Sequence, residues 1–155
     1  MPGPVVDMRA LREGLRRARE RGARIVLTNG IFDLLHVGHL RYLRQAHQLG
    51  DVLVVGINAD SAVHKPGRPI VPDTERAELL AALEPVDFVV IFAEDTADQL
   101  LREVRPHVYV KGADYSEATL PESATAREVG ARLEFVPFVM DRSTTQLLLK
   151  LRESV

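Results

Sequence analysis

The fold of this chain is decided by one stretch, Thr28-Asn29-Gly30-Ile31-Phe32-Asp33-Leu34-Leu35-His36-Val37-Gly38-His39. An apolar run typical of a buried strand precedes it, and apolar residues at helical spacing follow it. The pattern predicts a strand, a turn and a helix, with His36 and His39 one turn apart at the helix start. Free N–H groups and the positive dipole end of a helix start favour an anion. The stretch therefore indicates a phosphate site.

The alternative is an ordinary strand-turn-helix unit that carries two surface histidines. Imidazoles can donate hydrogen bonds to phosphate oxygens. Gly30 and Gly38 let a ligand approach the main chain closely. A single histidine would favour the alternative, whereas the full constellation favours the phosphate site.

Apolar runs alternate with helical patterns along the rest of the chain. Strands are predicted over residues 24–29, 52–58, 87–92, 107–111 and 132–137, and helices over residues 38–49, 73–83, 96–104, 122–130 and 143–153. Nearly continuous apolar strands are typical of a parallel sheet covered by helices on both faces. We therefore predict the α/β class, with a single doubly wound, parallel, five-stranded sheet of the Rossmann-like kind.

The first 23 residues form a further unit ahead of this pattern. Met8, Leu11, Leu15 and Ala18 make one apolar stripe at helical spacing. We therefore expect residues 1–23 to form an N-terminal helix that packs on a single domain formed by residues 24–155.

Composition excludes several classes of protein. The chain has 155 residues, 46% of them hydrophobic and 27% charged, which is typical of one soluble domain with a core. A net charge of -2 and a pI near 6.2 argue against a nucleic-acid-binding surface. Cysteine is absent, so disulfides and thiolate metal sites are excluded. No apolar run is long enough for a membrane span or a signal core, so we expect a cytoplasmic protein.

Two lysines lie where the predicted strands end. Lysine occurs three times among twenty basic residues; Lys65 follows the second predicted strand, and Lys111 ends the fourth. Lys65 precedes Arg68 in a Pro/Gly-rich loop after the second strand, and Arg76 lies on the next predicted helix. Ligands of open α/β sheets bind beyond the carboxyl ends of the strands. These cations are therefore candidate phosphate contacts; a surface loop with incidental charge is the alternative for Lys65, and an ion pair is the alternative for Arg76.

Two further motifs fall at the same predicted edge. Lys111-Gly112-Ala113-Asp114 follows the fourth strand and offers a cation, a flexible backbone and a carboxylate that can accept from a sugar hydroxyl. Ser143-Thr144-Thr145 opens the last helix with hydroxyls and N–H groups suited to an anion. The alternatives are a lysine–aspartate pair that closes a turn and a simple helix cap. No spacing typical of a zinc site occurs.

Together these motifs resemble the nucleotidyltransferase superfamily, whose signature matches His36-Val37-Gly38-His39. Lys111-Gly112-Ala113-Asp114-Tyr115 and Ser143-Thr144-Thr145 resemble more specifically the branch that adenylylates heptose 1-phosphate. The resemblance implies an adenylyltransferase that moves AMP from ATP to a sugar 1-phosphate, releases pyrophosphate and forms ADP-heptose. FAD synthetase, glycerol-3-phosphate cytidylyltransferase and a nucleotide-binding sensor without turnover stay open as alternatives.

The resemblance also implies roles for individual residues. The catalytic set is His36, His39 and Lys65. The nucleotide-binding set is Thr28, Asn29, Gly30, Phe32, Gly38, Lys111, Gly112, Ser143, Thr144 and Thr145. The substrate-binding set is Asp33, Arg68, Arg76 and Asp114. We expect no protein-held metal, magnesium carried in with ATP, ATP and a sugar phosphate as partners, and a homodimer.

Overall fold

The structure is a computed structural model that describes residues 3–137 and 144–154, with only the backbone described for Thr144 and Thr145. Within these ranges the strands are β1 (Ile25–Gly30), β2 (Val52–Asn58), β3 (Phe88–Phe92), β4 (Val108–Gly112) and β5 (Arg132–Val136). The helices are α1 (Met8–Glu20), α2 (Val37–His47), α3 (Asp73–Ala81), α4 (Asp98–Val104), α5 (Ser123–Glu128) and α6 (Thr144–Glu153). A short 3-10 helix, Asp60–Ala62, follows β2.

The five strands form one parallel sheet in the order β3-β2-β1-β4-β5. The chain runs outward from β1 to β3 and then returns to place β4 on the other side of β1. The strand order therefore reverses between β1 and β4, which is where ligands bind in such sheets. The predicted α/β class and its parallel five-stranded sheet are confirmed.

Helices cover both faces of the sheet. Leu11, Leu101 and Ala126, from α1, α4 and α5, belong to one buried apolar cluster. Leu43 and Leu80, from α2 and α3, belong to the other. Burial on both faces explains why the strands are nearly continuous apolar runs.

The segment before β1 packs against the sheet and also extends it. Leu11, Leu15 and Ala18, from the predicted stripe, are buried in the core. Ahead of α1, Val5 pairs in parallel with Val89 on the edge strand β3. This pairing occupies backbone groups of an otherwise open strand edge, a role that protects a sheet from unwanted pairing.

The strand boundaries agree with the predicted ones to within one residue, but some helix ends differ. Helix α4 begins at Asp98 rather than at Thr96, because the Thr96 hydroxyl donates to the Asp98 carboxylate and lies outside the helix. Helix α3 begins without a side-chain cap, because the Asp73 carboxylate accepts from the backbone N–H of Asp60 at 2.9 Å. Local side-chain bonds of this kind are interchangeable at helix ends and are poorly specified by sequence.

Candidate active site

A cavity of about 320 Å³ lies at the reversal point of the sheet, at the carboxyl ends of β1 and β4. Four parts of the chain line it: the end of β1 with the loop after it, the start of α2, the loop that carries Lys65, and the end of β4. Its lining residues are Asn29, Gly30, Ile31, Phe32, His39, Tyr42, Lys65, Lys111, Gly112, Asp114 and Tyr115. The structure thus brings eight of the seventeen predicted site residues to one cavity.

The two histidines form the cap of α2. His36 is the N-cap residue, and its Nδ1 accepts from the backbone N–H of Gly38 at 3.1 Å. The Nδ1 of His39 accepts from the backbone N–H of His36 at 3.3 Å. Since Nδ1 of each ring is an acceptor, the neutral ring carries its proton on Nε2. The cap therefore fixes each imidazole as an Nε2–H donor at a helix start.

The His39 ring is neutral near pH 7. Burial, together with the neighbouring His36 ring at a centroid distance of 4.0 Å, lowers the pKa of His39 to about 4. The ring therefore acts as a polar donor rather than as a cation in the ligand-free protein.

This pKa predicts a loss of stability in mild acid. The unfolded chain takes up a proton at His39 near pH 6.5, whereas the folded chain does so near pH 4, so stability falls as the pH drops through that window. One pKa unit corresponds to about 1.4 kcal/mol, and partial exposure of the ring reduces the total to about 2 kcal/mol. Urea unfolding at pH 7 and pH 4.5 measures the difference.

His39→Asn is the control for this prediction, since it should remove most of the change. A smaller change should remain, because burial also lowers the pKa of His107, whose Nδ1 accepts from the backbone N–H of Ile25 at 2.9 Å. If the free energy of unfolding falls equally between pH 7 and pH 4.5 in the wild type and in His39→Asn, the lowered pKa of His39 is contradicted.

Lys111 brings an enclosed cation to the cavity from the end of β4. Its Nζ donates to the backbone carbonyl of Asn29 at 2.9 Å and lies 5.5 Å from the centroid of the Tyr115 ring. Burial lowers its pKa, and the charges of Glu122 and Asp114 oppose that shift. A lysine held this way joins β4 to β1 and places positive charge beside the histidine cap.

Two polar residues of β1 have different surroundings. The Asn29 side chain lines the cavity, and its Oδ1 accepts from the buried hydroxyl of Tyr109. Thr28 is fully buried, and its hydroxyl pairs at 2.8 Å with that of Tyr42, which donates to the carbonyl of Val110. Asn29 can contact a ligand directly, whereas Thr28 supports the wall behind it.

The backbone between β1 and α2 is held in an unusual conformation at Phe32. This residue has a φ of 51°, in the left-handed region that non-glycine residues rarely adopt, and its side chain is buried. The ring lies so near Gly30 that a Cβ there would be 3.1 Å from it. Such conformations cost about 1–3 kcal/mol and cluster at functional sites. Gly30 and Phe32 therefore shape the cavity floor together.

The remaining predicted residues lie in three different surroundings. Lys65 is exposed and lines the cavity from its loop. Arg68 donates to the Asp33 carboxylate, and Arg76 donates to the backbone carbonyl of Val71. None of these three predicted residues lines the cavity. Ser143 lies outside the described residues, and the side chains of Thr144 and Thr145 are likewise not described.

Three lining residues were not among the predicted ones: Ile31, Tyr42 and Tyr115. Tyr42 lies three residues after His39 on α2, so helical spacing could have placed it on the same face. Tyr115 directly follows Asp114 in a motif already singled out. Ile31 carries no chemical signal in the sequence.

Comparison with known proteins identifies the family of this chain. Residues 27–152 match the cytidylyltransferase-like family. The chain belongs to that family. The match includes the histidine cap, the Lys65 loop and the end of β4, so all segments that line the cavity belong to the cytidylyltransferase-like domain.

Relatives of this cytidylyltransferase-like chain include proteins of two lengths. The D-beta-D-heptose 1-phosphate adenylyltransferase of Bordetella bronchiseptica is 50% identical over 133 residues, which cover 83% of this chain and 82% of that protein. The bifunctional protein HldE of Geotalea uraniireducens is 46% identical over 155 residues, which cover 96% of this chain and 31% of that protein. The chain thus spans less than a third of the bifunctional relatives.

Solved structures support the same fold. The lipopolysaccharide core biosynthesis protein of Thermoplasma volcanium superposes with a TM-score of 0.64 at 32% identity, covering 76% of this chain and 97% of that one. Pantothenate synthetase of Thermus thermophilus has a TM-score of 0.70, at 18% identity, covering 97% of this chain and 70% of that one. The second likeness concerns the fold alone.

The described residues also bear on metals and membranes. Residues 3–137 and 144–154 contain no cluster of three or more His, Cys, Asp or Glu side chains placed to hold a metal ion. In the same ranges, no helix combines the length and the apolar character that crossing a bilayer requires.

Proposed function

We propose that this chain transfers AMP from ATP to heptose 1-phosphate, with release of pyrophosphate and formation of ADP-heptose. One observation supports this proposal above the others: His39, Lys65 and Lys111 border one cavity at the reversal point of the sheet, and the His36 ring lies beside that of His39 in the cap of α2. A set of neutral and cationic donors around one cavity suits a polyphosphate ligand. The names of the relatives supply the acceptor.

The chemistry requires one displacement at phosphorus. An oxygen of the sugar phosphate attacks the α-phosphorus of ATP, the bond to the α–β bridging oxygen breaks, and pyrophosphate leaves with the electron pair. No covalent enzyme intermediate is needed. The protein's work is to position the reactants and to stabilise the charge that grows on the phosphate oxygens.

The predicted site residues have different parts in this step. His36 and His39 donate from Nε2 to phosphate oxygens, and the two lysines neutralise phosphate charge. Asn29 and the backbone at Gly30, Gly38 and Gly112 bind the nucleotide. Asp114 accepts from a sugar hydroxyl. The sequence motif Ser143-Thr144-Thr145 binds the outer phosphates.

Magnesium belongs to this proposal as part of the substrate MgATP. Asp114 is the one carboxylate among the described residues that line the cavity. Magnesium is commonly held by substrate phosphates and water together with one or two carboxylates. The donor set therefore fits an ion that arrives with the nucleotide. A homodimer and a cytoplasmic location complete the proposal.

Pyrophosphate release tests the choice of substrates. The purified chain is assayed with magnesium and with ATP or CTP, each against heptose 1-phosphate, FMN and glycerol 3-phosphate. We expect release with ATP and heptose 1-phosphate. Release with ATP and FMN would assign FAD synthesis instead, and release with CTP and glycerol 3-phosphate would assign a cytidylyltransferase. ATP binding without release for any acceptor would favour a nucleotide sensor.

A further inference from the structure

Two buried charges near the cavity have no part in the proposed chemistry. Asp33 is 2% exposed and the Arg76 side chain is fully buried. Burying a charge is costly unless it is paired and hydrogen-bonded. The partners of these two residues therefore show what the burial achieves.

Arg76 projects from α3 into the loop between β1 and α2. Its Nη1 donates to the carbonyl of Ile31 at 2.7 Å, and its Nε donates to the carbonyl of Val71 at 2.8 Å. Its Nη2 donates to the Asp60 carboxylate at 2.7 Å. The planar guanidinium thus joins three separate segments, which a lysine ammonium could not match in geometry.

Asp33 makes a connection in the reverse direction, from the loop between β1 and α2 to the loop before α3. Its carboxylate accepts from the backbone N–H groups of Ile70 and Val71 at 2.9 Å, and from Arg68 Nε at 2.5 Å. Burial alone would raise the pKa of Asp33, but the two N–H groups and Arg68 outweigh it, so the pKa lies below its ordinary value. The carboxylate is therefore ionised near neutral pH.

The two sets of bonds join the same pair of loops from both sides. We call residues 31–36 the histidine loop, because it leads into the His36 cap, and residues 63–72 the lysine loop, because it carries Lys65. Asp33 extends from the histidine loop to the lysine loop. Arg76, just beyond the lysine loop, contacts Ile31 in the histidine loop and Val71 in the lysine loop.

We propose that Asp33 and Arg76 are positioning residues that hold Lys65 in register with His36 and His39. This inference rests on the proposed function, because it assigns Lys65 to the phosphates. It also revises our expectation that the two residues contact the substrate. Lys65 is an exposed side chain on a loop without regular structure, so its place at the cavity depends on what fixes that loop.

A double-mutant cycle tests the coupling. An Asn at position 33 has one acceptor oxygen, and its NH₂ group opposes donors that faced a carboxylate. Asp33→Asn should therefore lower kcat/KM about tenfold, a size typical of lost charge-assisted bonds. Lys65→Ala should lower it by at least as much. In the double variant the loss should equal that of Lys65→Ala alone, because once Lys65 is absent Asp33 has no lysine to position. A loss of kcat/KM in the double variant that equals the product of the two single losses would overturn the inference.

Amide hydrogen exchange gives a readout that does not need turnover. Asp33→Asn should accelerate exchange at Ile70 and Val71 and through the rest of the lysine loop. Arg68→Met removes one of the three donors that the lysine loop offers to Asp33 and should reproduce this pattern in weaker form if Asp33→Asn folds poorly. Unchanged exchange in the lysine loop of a folded variant would overturn the inference.

Asp87→Asn is the matched control. The Asp87 carboxylate also accepts from a backbone N–H, that of Leu53, but at the amino end of β2, opposite the end of the sheet that carries the cavity. This variant should leave kcat/KM and lysine-loop exchange unchanged. A wild-type chain that releases no pyrophosphate would refute the proposed function, and the exchange experiment would still decide whether the loops are coupled.

Discussion

We expect His39→Ala to retain the fold and to lower the turnover number by about 10²–10³, equal to about 2.7–4 kcal/mol of transition-state stabilisation. His39 is part of the cap of α2 and is partly buried, and its pKa of about 4 makes it a neutral donor at pH 7. A preorganised donor aimed at developing charge contributes to the rate without reorganising during the reaction. Steady-state pyrophosphate release measures the effect.

His47→Ala is the matched control for this prediction. His47 lies at the other end of α2, where its Nε2 is 3.4 Å from the Asp87 carboxylate. The same chemical change there should leave turnover within about twofold. Near-normal turnover in His39→Ala, or an equal loss in both variants, would contradict the role assigned to His39.

Arg76→Met should destabilise the fold by about 3 kcal/mol. The change leaves the carbonyls of Ile31 and Val71 without their donor and removes the partner of Asp60. Losing one member of a buried network typically costs several kcal/mol, because the groups left behind stay desolvated. For a chain of this length the melting temperature should fall by about 6–12 °C. Urea unfolding and thermal melts measure both values.

Arg41→Met gives the comparison for loss of an exposed arginine. Arg41 is exposed on α2, so its replacement should change stability by no more than about 0.5 kcal/mol. Equal destabilisation by the two substitutions would contradict the claim that the buried hydrogen bonds of Arg76 stabilise the fold.

The fold was predictable because its signal is repetitive. Runs such as Val52–Asn58 are apolar on both faces, so the chain itself shows that helices must cover both sides of the sheet. Helix ends were less predictable, since Thr96 and Asp98 offer equivalent capping groups a short distance apart. In the structure neither side chain caps α4, because the Asp98 carboxylate accepts from Thr96 and also from Thr125 on α5, which is far away in the sequence.

The residues around the cavity were predictable where they follow strands. Gly30 and Gly112 end β1 and β4, and strand order brings such ends together. Burial of charge was not predictable in the same way. Arg68 lies in a Pro/Gly-rich loop and Arg76 on a predicted helix, but neither context indicates burial, yet the Arg76 side chain is fully buried whereas that of Arg68 is 16% exposed. That difference arises from how two loops meet, which pattern alone does not encode.

The most direct test of the central claim is ³¹P NMR of a reaction that contains MgATP, heptose 1-phosphate and the purified chain. Attack at the α-phosphorus predicts a new pair of coupled resonances from a sugar-linked diphosphate, with pyrophosphate formed in equal amount. ADP or inorganic phosphate as the initial product would place the attack at the γ-phosphorus and would contradict the proposed reaction.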